Sequence, residues 1–231
     1  MSSLERGHRP GSVGLVQMLT LAQAYWDLIR SAEKWLAFTL CLFCLGLGGA
    51  VVLGAANPAL IAHLVKNLRG NPATGFAAFI LFVKHNVTAM LINWCGGLLL
   101  AVAPILTSLG NGFVLGALLV DRGVLYGLLS TLPHAIVELT AILLSNAFFL
   151  RLGLRWVFQK NATARKRTFV SDFQASLKIA LVCIGLLCVA AMIETFATPK
   201  ILSVYENGHG SGSAVMENRG SVSPRVADPA R

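Results

Sequence analysis

Charge is what this chain has least of. Only 13% of its 231 residues are Asp, Glu, Lys or Arg, while 55% are apolar; an ordinary soluble domain carries roughly 25% charged residues. A soluble fold needs a charged skin, and so few charges cannot make one. The mean hydropathy of +0.69 also excludes an intrinsically disordered chain, a class poor in apolar residues. Acidic residues are the scarcer sign, 10 against 19 Lys and Arg, for a net charge of +9. In a soluble protein that excess would suggest nucleic acid, but no basic stripe is interleaved with aromatics, and no nucleic-acid partner is expected. The excess reads instead as basic flanks that orient spans and meet anionic headgroups. Disulfides are excluded by an odd set of cysteines, Cys41, Cys44, Cys95, Cys183 and Cys188, all inside apolar runs. Cys41 and Cys44 form a CxxC among leucines and Phe43 with no second ligand pair nearby, and read as small packing side chains. GxSxG, GxxxxGK[ST] and HExxH are missing, as is any paired-aspartate pattern. No enzyme, no cofactor and no metal site is therefore expected. No secretory signal is visible, because the first apolar run starts only at Trp35, and that run is read as an anchor.

What the chain does have is long apolar runs. Residues 35–62 carry no charge, nor do the 34 positions 87–120. Each bilayer crossing needs about 20 apolar residues. The expected fold is therefore all-α: a polytopic membrane helix bundle of about five transmembrane helices, one of them broken or short, plus an N-terminal amphipathic helix. Residues 1–34 form the N-terminal segment, 35–200 the membrane domain and 201–231 a disordered tail. Within 15–34, Leu15, Met18, Leu19, Ala22, Tyr25, Trp26 and Ile29 recur at helical spacing; this helix either lies in the membrane interface or packs on the bundle. Spans are expected at 35–54, 86–106, from Asn111 to Asp121, within 124–150, and at 178–197. Asn57-Pro58 ends the first, a short helix follows at 58–69, and Gly70-Asn71-Pro72 is a turn. Seven Lys or Arg fall in 151–178 and four in the first 34 residues. Both segments are expected on the cytoplasmic side of a prokaryotic inner membrane, which requires four crossings between them and leaves the C-terminus outside.

Polar groups at membrane depth need a reason. The strongest group runs from Ser130 to Ala141. Pro133 suits a first helical turn and Ser130 and Thr131 suit caps, so a helix is expected to restart here. His134 and Glu138, four apart, share its face and can hydrogen-bond to each other. Two readings stand: a relay or ligand site, and a structural clamp that holds a broken helix. Asn111 and Glu194 belong to the same polar set, Glu194 either snorkelling outward or pairing with an inward His or Asn. Gly112 and Gly116 form a small-xxx-small packing face. Thr198-Pro199 is expected to end the last helix. Asn86 and Asn93 are placed to bond neighbouring helices.

The order Asn111-Gly112-x3-Gly116, then Leu132-Pro133-His134-x3-Glu138-Leu139, then Ile193-Glu194-x3-Thr198-Pro199 resembles the stage II sporulation protein M family, over about residues 35–200. Ala135 departs from the Gly that usually follows the His. The resemblance implies a prokaryotic protein of about five membrane helices that acts as a non-enzymatic scaffold, recruiting cell-wall-remodelling partners in the envelope. Its partners are then the lipid bilayer and envelope proteins, with self-association compatible. The rival reading is a small-molecule or proton-coupled transporter using His134 and Glu138. A water-accessible cavity at that pair favours transport; a sealed, mutually bonded pair favours the scaffold.

Overall fold

A computed structural model describes residues 10–68 and 75–205 of the chain. The expected turn at Gly70-Asn71-Pro72 and the tail beyond Tyr205 lie outside the described residues. Among the described residues seven helices follow one another: α1 (Pro10–Arg30), α2 (Glu33–Ala56), α3 (Pro58–Leu68), α4 (Gly75–Leu98), α5 (Val102–Arg122), α6 (Val124–Phe158) and α7 (Ala162–Met192). A π-helical turn, Ile193–Ala197, continues α7, and the whole helix runs from Ala162 to Tyr205. No strand occurs among the described residues. Five of these helices, α2 and α4 to α7, are long and apolar enough to cross a membrane. Leu45, Ile92, Leu106, Ile136 and Leu181 all remain exposed, which only a lipid surround tolerates at this density.

The helix ends follow from local chemistry. At Asn57-Pro58 the side-chain oxygen of Asn57 accepts the Leu60 N–H at 3.1 Å, and Pro58 takes the first helical position, where its missing N–H is harmless. Asn161 caps α7 by accepting from the N–H groups of Thr163 and Ala164. Gly123, at φ 78°, joins α5 to α6 in a conformation that L side chains resist.

The structure moves several boundaries. The second crossing is Gly75–Leu98, not 86–106; the chain turns at Leu99–Ala101, with Leu100 and Ala101 both left-handed. Three apolar residues give hydropathy no sign of a turn. Pro104 then lies in the first turn of α5, where it breaks nothing, and Gly110-Asn111-Gly112 lies mid-helix. The expected restart at Pro133 does not occur: α6 runs unbroken for 35 residues with Pro133 inside. Its ring removes one hydrogen bond, and neighbouring helices hold the rod. Thr198-Pro199 does not end the last helix either, and residues 201–205, expected in the tail, are helical. The π turn just before Pro199 widens the helix where the ring needs room. α1 starts at Pro10 rather than 15. Its Tyr25, Leu28 and Ile29 pack on the core, whereas Met18, Leu19, Leu21 and Trp26 are exposed.

Small residues bring the backbones together. On α2, Gly46, Ala50 and Gly54 recur every four positions; on α5, Ser108, Gly112 and Gly116 do the same. A Cβ on Gly112 would collide with the Phe43 carbonyl oxygen, and one on Gly46 with that of Leu109. Gly97 of α4 and Gly153 of α6 meet equally closely. At this end of the bundle, here termed the basic end, α6 and α7 form a hairpin. The buried Asp172 accepts from Arg151 at 2.9 Å and from Arg155 at 3.0 Å. Arg151 also donates to the Ser31 hydroxyl at 2.8 Å, tying α1 to the hairpin. The opposite, or far, end holds α3, Gly123 and the end of α7.

Candidate functional site

With a rise of 1.5 Å per residue, His134 lies about 15 Å along α6 from its far end, well inside the span. One turn on, Glu138 shares its face. α7 supplies the third group. The π turn Ile193–Ala197 begins opposite this stretch, and ligand-capable atoms of His134, Glu138 and Glu194 all lie within 4.8 Å of one another. The expected hydrogen bond between His134 and Glu138 is not among those of the described residues. His134, only 9% exposed, instead meets Thr198 through Nδ1, 3.4 Å from Oγ1. The Thr198 hydroxyl donates to the Ile193 carbonyl oxygen at 3.3 Å, which also accepts the Thr198 backbone N–H. Which of the two atoms donates, His134 Nδ1 or the Thr198 hydroxyl, depends on the tautomer of the ring. His85 and Asn86 of α4 border the same cavity as Glu138.

Toward the basic end, Glu138 opens onto a cavity of about 130 Å³ lined by His85, Asn86, Asn93, Thr107, Asn111 and Asn146, among others. Its floor is a network of buried and half-buried side chains. Asn93 donates to Asn146 at 3.4 Å and accepts from Thr107 at 2.7 Å. Asn146 donates to Ser108 at 3.1 Å. Asn111 donates to the Thr107 carbonyl oxygen at 2.8 Å. Below this layer the Gly97–Gly153 contact and the fully buried Phe148 and Phe149 close the bundle.

Toward the far end the packing loosens. His134 and Glu138 border a cavity of about 170 Å³ with Asn111 and Thr131. His134 and Glu194 border one of about 300 Å³ with Arg122 and Ser130, and another of about 430 Å³ with Gly75, Thr198 and Pro199. The Thr195 hydroxyl and the Arg122 Nε are buried with no hydrogen-bond partner, and each lines one of the latter two cavities. The pair is thus neither mutually bonded nor sealed.

Of the residues picked from sequence, His134, Glu138 and Glu194 come together, Asn111 borders two of the cavities, and Thr198 and Pro199 line a third. Gly112 and Gly116 lie apart, against α2. Pro133 lines none of these cavities. Sequence reasoning missed Asn146, Ser108 and Asp172. Ser145-Asn146 interrupts an otherwise apolar run, and the rule that singled out His134 would have found it.

Matched against known proteins, the chain corresponds over residues 37–199 to the family described as stage II sporulation protein M. It is 24% identical over 172 residues to an uncharacterized protein of Methanocaldococcus jannaschii, covering 71% of this chain and 93% of that protein. No solved structure matches. The shared segment spans all five membrane-length helices and every residue of the His–Glu–Glu cluster, and the chain belongs to the stage II sporulation protein M family.

Proposed function

We propose that this chain is a small membrane transporter that admits a cation or polar solute from the far end to a site at His134, Glu138 and Glu194. One observation carries the reading. The polar groups at membrane depth border open cavities that continue toward one end, instead of satisfying one another in a sealed clamp. A carboxylate held at this depth only for structure would be bonded on all sides. The polar layer around Asn146 and the close-packed floor would then be the closed inner gate, and the molecule is in an outward-open state. On this reading the basic hairpin at 151–178 faces the cytoplasm, and the gate lies on that side.

The test is flux in proteoliposomes holding a pH-sensitive dye, with an imposed proton gradient. Wild-type protein should carry protons faster than empty vesicles, and Glu138→Gln should abolish the excess while preserving expression and thermal stability. Folded wild-type protein that carries nothing would sink the proposal.

A scaffold role has its own support. At the basic end Arg155, Arg167 and apolar residues of α1 are exposed, a surface suited to partners on the cytoplasmic side, and the family is described as a sporulation protein. Crosslinking in native membranes tests it: envelope proteins captured through 151–178 support the scaffold, and capture of lipid alone counts against it.

A further inference from the structure

We propose that His134, Glu138 and Glu194 form a binding site for one divalent transition-metal ion. The ligand atoms come from two different helices and lie within 4.8 Å of one another. Around a tetrahedral zinc, with bonds of about 2.0–2.2 Å, such atoms sit roughly 3.3 Å apart. Rotation of two glutamate side chains closes that difference, and a water from the adjoining cavity completes the shell.

Three further observations point to a cation rather than an empty clamp. First, the imidazole has an outer partner of the kind metal-binding imidazoles have. Its Nδ1 meets the Thr198 hydroxyl, Thr198 is itself held by Ile193, and with Nδ1–H donating there Nε2 is left to bind a metal. Second, two carboxyl groups share a confined space, and among the described residues neither forms an ion pair with Lys or Arg. Arg122 borders the same cavity as Glu194 without reaching ion-pair distance, and His85 lies on the far side of Glu138. Two carboxylates and a dication are neutral together, which removes the main penalty for charge at this depth. Third, the cavities of about 300 and 430 Å³ that reach His134 and Glu194 are an entry path. The buried Thr195 hydroxyl, unpartnered, lines the larger. An imidazole with two carboxylates favours zinc, manganese or ferrous iron over magnesium and calcium.

The inference concerns binding alone and stands whether or not the cavity conducts. Full-length protein in detergent, carrying Cys41→Ser and Cys44→Ser to remove the exposed CxxC, is stripped with chelator and titrated with zinc chloride, then with magnesium chloride. One zinc per chain should bind, with magnesium at least tenfold weaker. His134→Ala, Glu138→Gln and Glu194→Gln should each weaken zinc at least tenfold. Thr198→Val, which keeps all three proposed ligands but removes the hydroxyl that meets the imidazole and Ile193, should weaken it about tenfold with stoichiometry unchanged. Should a ligand variant fail to fold, X-ray absorption on the zinc-loaded Cys41→Ser, Cys44→Ser protein decides alone: a nitrogen and oxygen shell with one imidazole supports the site, and a sulfur shell overturns it. Zinc held equally by the triple variant, or no zinc held by folded wild type, also overturns it. Zinc binding without proton flux leaves this site standing and removes the transport reading; proton flux without zinc binding does the reverse.

Discussion

Asn146 shows how a single polar side chain can hold this bundle together. Its amide accepts from Asn93 and donates to Ser108, linking α6 to α4 and α5. Hydrogen bonds between membrane helices contribute on average about 0.6 kcal/mol each and at most about 1.7. Asn146→Ala should therefore destabilise the protein by about 1–2 kcal/mol, read from detergent or steric-trap unfolding. No loss would mean that the network is slack. Asp172 is a stronger case. It is 2% exposed and accepts from two arginines, of which Arg155 is substantially exposed and contributes less through screening. Asp172→Asn leaves Arg151 partly buried without a counter-charge, and removing one partner of a buried pair costs about 3 kcal/mol. A marked fall in melting temperature is expected, and Arg151→Met added to Asp172→Leu should recover much of it. Both residues escaped the sequence reading, Asp172 because a lone Asp among the seven basic residues of 151–178 looks like a solvated face.

The α2–α5 pair carries the clearest contrast between neighbouring positions on one helix. Gly112 and Gly110 are two residues apart on α5. A methyl group on Gly112 meets the carbonyl oxygen of Phe43, which has no freedom to move, while one on Gly110 meets nothing within 4 Å. Gly112→Ala should push the helices apart and destabilise by about 1–3 kcal/mol. Gly110→Ala should stabilise by up to about 1 kcal/mol, since Gly is the poorer helix former. Equal effects, measured in one unfolding assay, would refute the close-approach account. The Gly112-x3-Gly116 face was legible because spacing alone puts both on one side. Its partner stripe, Gly46-Ala50-Gly54, was hidden among other glycines of α2, and only the contacts single it out. Pro133 teaches the opposite lesson: proline weakens a helix locally, but inside a packed bundle that weakness does not decide the path of the chain.

Across the molecule, α6 extends about 52 Å, well beyond a hydrocarbon core of about 30 Å. The excess at its C-terminal end carries Arg151, Arg155 and Trp156, and α7 returns alongside it. With this hairpin cytoplasmic, a cysteine placed at Lys160 in a cysteine-free chain should react with an impermeant maleimide only after cells are permeabilised, and one placed at Lys66 should react in intact cells. The reverse labelling would invert the topology and with it the direction in which the His134 cavities open.

Composition alone determined that this chain lives in a bilayer: with so little charge, the only stable environment for its surface is lipid. The number of crossings followed from the same arithmetic, and the polar residues of α6 and α7 stood out because each is expensive at depth. Tertiary structure decided what those residues do. Glu194 lies sixty residues from His134, and its arrival there depends on how α7 packs along α6 and on the register of one π turn. The turn at Leu99–Ala101 likewise belongs to packing, because three apolar residues carry no local instruction to reverse. Hydropathy measures the solvent a residue prefers; which neighbour it meets is fixed only when backbones close against one another.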